Sequence, residues 1–342
     1  MRIGILINDV ATERPGYTSV ALMRAARRRS HHVYVIGTGD FVYERGHVQA
    51  WAREAPEAGE SPEAFLVALR GEAAAARVTV DELDVLLLRN NPFDDLPDRP
   101  WAAQAGLVFG DEAKHHGVLV LNDPHGLAHA LNKLYLERFP QAMRPASLVT
   151  RHPDDVRAFA REVGTVVVKP LNGSGGRSVF VLRAGELENF HQIVEAVSAH
   201  GYVVAQEYLP AAREGDVRLL LLNGRPLEKD GHIAAMRRVS SKGDLRNNVL
   251  AGGVVKPVNV DDSMRSLAEL ARPRLIEDGM WLVGLDVVGD KVLEINVFSP
   301  GGLVSTSAFA GVDFASALIE DLERKIAHAS QAKFDNRLLA CL

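Results

Sequence analysis

Lys169 stands at the end of a β-branched run, Val166, Val167 and Val168, and three residues further on come Asn172, Gly173, Ser174, Gly175 and Gly176. A second apolar run, residues 178–182, returns, so the pattern predicts strand, glycine loop, strand. With so little side chain, such a loop lets backbone N–H groups approach the oxygens of a phosphate, and Lys169 adds a positive charge beside them. The loop runs into a strand, not a helix, which excludes both the GxxxxGK[ST] phosphate loop and the dinucleotide-binding turn. Taken alone, a hairpin with a flexible glycine tip is the competing reading. Residues later in the chain favour a nucleotide flap.

Those residues are acidic. Segments 282–288 and 292–297 are predicted strands joined by Gly289, Asp290 and Lys291. A three-residue connection pairs Val288 with Val292 and sets Asp286 opposite Glu294, with Asn296 two residues along on the same face. The other face, Leu285, Val287, Leu293, Ile295 and Val297, is uniformly apolar and is expected to be core. Two carboxylates facing each other across a sheet repel unless a cation lies between them. Carboxylate and amide oxygens are hard ligands suited to Mg²⁺, with Mn²⁺ as a substitute, completed by phosphate and water. A polar face open to solvent is the alternative. Flap and acidic pair together would clasp a nucleotide such as ATP from both sides and could deliver its γ-phosphoryl group to a nucleophile.

The elements that must position these groups follow from the rest of the chain. Its 342 residues allow two or three domains with a substantial core. At 47% hydrophobic and 24% charged, with a formal net charge of −5, it lacks the basic excess that nucleic acid or an anionic membrane would call for. The single cysteine, Cys341, cannot form an intramolecular disulfide, the first residues are too short a run for a signal peptide, and no apolar run reaches membrane-spanning length. A cytoplasmic setting is expected.

Residues 1–125 predict βαβ units, with strands at 2–7, 33–36, 84–88 and 118–121 and a helix that Ser19 caps, ending near Arg28. An Ala/Glu-rich stretch, 52–76, reads as a helix flanked by loose chain. Polar clusters ending the strands, among them Asn8, Asp9, Arg89 and Asn90, are candidates for a ligand rim, since ligands in open α/β sheets sit beyond the carboxyl ends of strands. A helix over 127–139 carries Lys133. Further helices are expected at 153–163, 188–200, 262–278 and 314–329, and a hairpin at Asn223-Gly224.

Several motifs, in this order, carry a resemblance. They are Tyr17-Thr18-Ser19, Asn122-Asp123-Pro124, Lys133, Lys169-Pro170 with the glycines 173–176, Gln206-Glu207-Tyr208-Leu209, Gly215-Asp216-Val217-Arg218, Arg246-Asn247-Asn248 with Gly252-Gly253, Gly284-Leu285-Asp286 and Glu294-Ile295-Asn296. The chain resembles the prokaryotic glutathione synthetases, members of the ATP-grasp superfamily of carboxylate–amine ligases, over nearly its whole length. The resemblance implies a three-domain ATP-grasp fold, α/β with an α+β ATP-grasp part. Its parts would be an N-terminal parallel-sheet domain (1–125), a central lid with the glycine flap (126–205) and a C-terminal domain with the metal site (206–342).

It also implies roles. Lys133 and Lys169 would contact ATP phosphates with Gly173, Ser174, Gly175 and Gly176, and Gln206, Glu207, Tyr208 and Leu209 would form the hinge that reads adenine. Arg218 and Arg238 would stabilise the transferred phosphoryl group, together with Lys169. Ser19, Arg246, Asn248, Gly252 and Gly253 would face the small-molecule carboxylate and amine substrates, and Asp286, Glu294 and Asn296 would hold the metal. A homo-oligomer is implied as well. The chain departs from the family where substrates would dock: Leu131-Asn132-Lys133 replaces Asn-Glu-Lys, Asn90-Asn91-Pro92 replaces Asp-Pro-Pro, and residues 298–307 replace a Thr-Ser-Pro-Thr-Gly stretch and the Arg-Glu that follows.

Overall fold

A computed structural model describes residues 1–59, 61–71, 74–96, 98–173, 178–183, 185, 189–199, 201–239 and 253–331. Ser174, Gly175, Gly176, Arg246, Asn247, Asn248 and Gly252 lie outside the described residues.

Residues 2–121 build a six-stranded sheet in the spatial order Ala76–Thr79, His47–Glu54, His32–Glu44, Arg2–Ile7, Val85–Leu88, Leu119–Leu121. The last four are mutually parallel, as their continuous apolar runs predict. The sheet as a whole is mixed, which corrects the expected parallel sheet, because His32–Glu44 folds back on His47–Glu54 in an antiparallel hairpin. Its two-residue turn has both members at positive φ, Arg45 at 54° and Gly46 at 86°, the twist that joins antiparallel strands tightly. Among the described residues of segment 52–76 are the end of this hairpin, the expected helix, at Pro62–Gly71, and the start of the edge strand Ala76–Thr79.

Alternation along Arg2–Ile7 sends Ile3, Ile5 and Ile7 to one face and Leu6 to the other. The first face packs under helix Thr18–Arg28 and against Trp281, Leu282, Phe314 and Leu318 from the far end of the chain, so N- and C-terminal parts share a core. That first helix starts after Tyr17 with no side-chain cap; Ser19, expected as the cap, lies inside it, its hydroxyl donating to Glu13.

The second sheet, Ser147–Thr150, Val203–Glu207, Thr165–Pro170 and Phe180–Arg183, is antiparallel and carries helices Pro153–Val163 and Phe190–Ser198 on one face. Its core, built around Val156, Val166, Val168, Phe190, Val194 and Val203, is separate from the others. The 205/206 boundary expected from the sequence falls inside its strand Val203–Glu207.

The third sheet runs Val254–Pro257, Ala235–Val239, Asp216–Leu222, Leu282–Val288, Lys291–Asn296, with Arg225–Pro226 pairing on Asp216–Leu222 through the expected Asn223-Gly224 turn. Two local features bear on the site. The expected helix 127–139 is broken into the helix Pro124–His129 and a 3₁₀ turn, Lys133–Arg138, because the Asn132 side chain accepts from the Leu134 N–H and caps the second piece. Residues 303–310, to which the sequence reading assigns no element, form the helix Leu303–Ala310.

One buried side chain joins the first and third sheets. Asn122, at the carboxyl end of Leu119–Leu121, donates to Leu282 O (3.0 Å) and Val297 O (2.6 Å) and accepts from Trp281 N (2.7 Å) and Leu282 N (2.9 Å). Every hydrogen-bonding group of the amide is used.

Candidate active site

The acidic strands meet in a different way from the simple expectation, yet with the expected partners. The turn holds two residues, Gly289 and Asp290, and Val288 pairs with Lys291. A bulge between Asp286 and Val287 then takes up one residue of the partner strand, so that Asp286 still faces Glu294 and Gly284 faces Asn296. Leu285, Val287 and Val297 are buried as expected, whereas Leu293 and Ile295 are only partly buried and line a cleft.

That cleft, open to solvent, lies between the second and third sheets. Lys133, Lys169, Gly173 and Gln206 line one wall, Glu294 and Asn296 the other, and Val149, Leu171, Val204, Leu293 and Ile295 supply apolar surface. Its mixture of apolar lining with a few convergent polar groups suits a nucleotide.

The broken helix aims Lys133 at the flap: its N–H donates to Leu171 O (3.2 Å) and its ammonium to Gly173 O (2.7 Å). The Lys169 ammonium donates to Gln206 Oε1 (3.0 Å). Burial in the cleft wall pushes the Lys169 pKa down to about 8; Glu294 opposes that shift and Lys133 adds to it. The Lys133 pKa is lowered for the same first reason, with Glu294 again opposing. Two crowded ammonium groups whose charge is disfavoured form a site that gains from an anion.

Behind Glu294 lies a buried network of two arginines and two aspartates. The register pairs Asp216 with Arg238 and, on the neighbouring strands, Arg218 with Asp286 and Asp286 with Glu294. The Arg218 guanidinium spans both oxygens of Asp286, with Nη2 to Oδ2 at 3.0 Å, and its Nη1 reaches Gly301 O at 3.4 Å. Arg238 Nη2 lies 2.7 Å from Asp286 Oδ2 and also binds Asp216, which Nε contacts at 3.0 Å. Burial works to raise the Asp286 pKa, but Arg218 and Arg238 outweigh it and hold the carboxyl below its usual range. For Arg238 burial opposes the charge, and Asp286 and Asp216 more than compensate, raising its pKa. Gly284 makes room: a Cβ there would lie 2.9 Å from Arg218 Cδ.

The donors fit a hard divalent cation. Asn296 Nδ2 donates to Asp286 Oδ2 (3.1 Å) and Gly284 O (3.4 Å), which commits the amide nitrogen and leaves its oxygen as an available ligand. Glu294 makes no hydrogen bond among the described residues, and Asp286 Oδ1 accepts from Arg218 alone, keeping acceptor capacity. Such a set needs phosphate and water to complete octahedral coordination.

Other expected residues lie elsewhere. The N–H groups of Glu207 and Tyr208 are taken by Ala146 O and Thr165 O, and neither they nor Leu209 line the cleft. Ser19 is buried against Glu13, and Gly253 lies just ahead of Val254–Pro257. Among the rim residues, Asn8 braces the turn at Asn91 and Asp95 and Asp9 caps a 3₁₀ turn. Arg89 is buried, donates to Pro300 O (3.0 Å), and has its pKa lowered to about 10 by burial, with Glu13 opposing. Asp216 was missed as a partner of the arginines. Its two-residue spacing from Arg218 on one strand is the signal that places both on one face.

With this geometry in view, comparison with known proteins gives a consistent result. The family description "Prokaryotic glutathione synthetase, N-terminal domain" matches residues 1–128, and "Prokaryotic glutathione synthetase, ATP-grasp domain" matches residues 132–311. A glutathione synthetase of Gloeobacter violaceus is 34% identical over 94% of this chain and 96% of its own. One of Pseudomonas syringae pv. tomato is 34% identical over 95% and 98%. Among solved structures, a D-cycloserine synthetase superposes with a TM-score of 0.64 at 18% identity, covering 94% of this chain and 99% of its own, which speaks to the fold.

Proposed function

Because the chain belongs to the prokaryotic glutathione synthetase family and is an ATP-grasp carboxylate–amine ligase, we propose that it joins γ-glutamylcysteine to glycine. The observation that carries this is the cleft with Lys133, Lys169 and Gly173 on one wall and Glu294 and Asn296 on the other. In this reading ATP lies along the cleft, and Lys133 and Lys169 bind its phosphates beside the flap glycines 173–176. Glu294, Asn296 and Oδ1 of Asp286 hold Mg²⁺, with Mn²⁺ as a substitute. Bound there, the ion would offset the negative charge of the phosphates during transfer.

A carboxylate oxygen of the acyl substrate attacks the γ-phosphorus, the bond to ADP breaks, and an acyl phosphate forms. The amine of glycine then attacks the acyl carbon, phosphate leaves and the amine's proton passes to solvent. Arg218 and Arg238, held by Asp286, supply fixed positive charge where the phosphoryl group passes. Residues 126–205 act as a lid that keeps water from the acyl phosphate; the separate core of residues 148–205 supports movement of that part as a unit, while Leu127, Tyr135, Leu136, Phe139 and Met143 anchor its start in the core shared by the other two sheets. Of the expected hinge, Gln206 lines the cleft and would face adenine, and Arg246, Asn248, Gly252 and Gly253 would serve the acyl and amine substrates, whereas Ser19, buried against Glu13, would not.

We place this reaction in the cytoplasm and, as the family resemblance suggests, in a homo-oligomer. Among the described residues no single helix is long and apolar enough to cross a membrane. A different acid and amine undergoing the same chemistry is the second reading. It is favoured by Phe298, which stands in the departing stretch, packs edge-on against Phe93 at 6.3 Å and lines the cleft with it. ADP release measured with γ-glutamylcysteine plus glycine, against each alone, separates the two: stimulation by the pair supports the first reading, and its absence removes it.

A further inference from the structure

We propose that His47, Asp81 and His116 form a second, remote site for a divalent transition-metal ion, Zn²⁺ by its donor set. The three side chains come from separate parts of the N-terminal unit. His47 starts the strand His47–Glu54, Asp81 lies in the 3₁₀ turn Val80–Glu82, and His116 is the C-cap of helix Ala105–His115. One ligand atom from each falls within 4.8 Å of the others. His47 Nδ1 is 3.2 Å and His116 Nε2 3.7 Å from Asp81 Oδ2. Ligands of a tetrahedral zinc with bonds near 2.0–2.2 Å stand roughly 3.3–3.5 Å apart, so small movements of the two histidine rings would close the site.

The carboxylate gives an independent reason to expect a ligand. The Asp81 side chain is only 8% exposed, yet its Oδ1 is buried without a hydrogen-bond partner among the described residues. A bare buried carboxylate oxygen is costly. The other oxygen is oriented by the Val48 N–H at 3.1 Å, the kind of support that metal-ligating carboxylates receive. Glu112, one turn before His116 and 3.8 Å from its Nε2, adds negative charge, as does the carbonyl end of the helix on which His116 sits. Imidazole nitrogens with one carboxylate suit Zn²⁺ and its neighbours in the series, whereas Mg²⁺ prefers oxygen alone.

Asp81 precedes the strand Val85–Leu88 and His116 precedes Leu119–Leu121, whose carboxyl ends lead to Arg89 and Asn122. The ion would therefore staple the edge hairpin to helix Ala105–His115 at the end of the sheet away from the cleft.

The test is a titration of metal-free full-length enzyme with Zn²⁺ against a chromophoric chelator, in excess Mg²⁺ so that the cleft carboxylates do not compete. One site per chain is expected, with affinity falling at least ~10-fold in His47→Gln and in His116→Gln. Both are surface positions whose variants should keep ligase activity. Co²⁺ added to the unmodified enzyme should give the visible absorption of a low-coordinate nitrogen–oxygen site, and Zn²⁺ should raise the melting temperature of the wild type but not of the variants. Absence of a Zn²⁺ site in the wild type, or the same affinity and stoichiometry in both variants, overturns the proposal.

Discussion

Lys169 offers a direct view of the cleft's electrostatics through its proton. In the free protein its pKa is about 8 because burial disfavours the charged amine. Phosphate oxygens placed beside it favour the charged form and should return it to at least the ordinary lysine value of about 10.4. At pH 8.5 a group of pKa 8 is about one-quarter protonated and one of pKa 10.4 almost wholly so, so binding should take up ~0.75 proton. At pH 7 the same arithmetic gives only ~0.1 proton. Lys133, lowered for the same reason, adds in the same direction. The sign follows from linkage: a base whose pKa is depressed in the free state and restored in the complex makes binding proton-consuming above the depressed value. Calorimetry of ADP binding with excess Mg²⁺ in buffers of different ionisation enthalpy measures the uptake. Lys169→Arg, which stays charged throughout, should bind ADP with uptake reduced to the share of Lys133. No uptake by the wild type at pH 8.5, or undiminished uptake in Lys169→Arg, would refute the reasoning.

Other expectations are simpler. Glu294→Gln removes a charged metal ligand from an otherwise unbonded position and should lower Mg²⁺-dependent kcat roughly 10²-fold or more; near-normal turnover in a steady-state assay would show the metal to be misplaced. Gly284→Ala puts a Cβ 2.9 Å from Arg218 Cδ, so kcat should fall roughly 10-fold with little change in ADP affinity by calorimetry. Asp286→Asn leaves the buried Arg218 and Arg238 under-compensated and should cost about 3 kcal/mol or more in denaturant unfolding. Asn122→Ala abandons four backbone partners on the third sheet and should cost about 2–4 kcal/mol by the same measurement.

Much of the site could be read from local patterns. The Val166 to Val168 run with the lysine after it, and the alternation around Asp286 and Glu294, each encode a strand, and the structure brings Lys169, Glu294 and Asn296 to one cleft with Asp286 buried behind them. Where a tertiary partner decides the conformation, the sequence was silent. The turn Arg45-Gly46 lacks the Asn-Gly or Asp-Gly signature, so the edge hairpin was hidden. The break before Lys133 depends on Asn132 acting as a cap, and a mid-segment Asn is equally compatible with helix. The two-residue turn with a bulge reached the same Asp286–Glu294 pairing as the assumed three-residue loop, so the correct partners followed from an incorrect turn. The sharing of Asp286 between two arginines needs the register of three strands, which no local pattern contains.

The central claim is that the cleft activates a carboxylate by moving the γ-phosphoryl group of ATP onto it. Turnover with γ-glutamylcysteine carrying ¹⁸O in its glycine-accepting carboxylate, followed by mass analysis of the released phosphate, tests this most directly. One ¹⁸O should appear in phosphate for each amide formed. Label found in AMP, or amide formed with phosphate free of label, would contradict it.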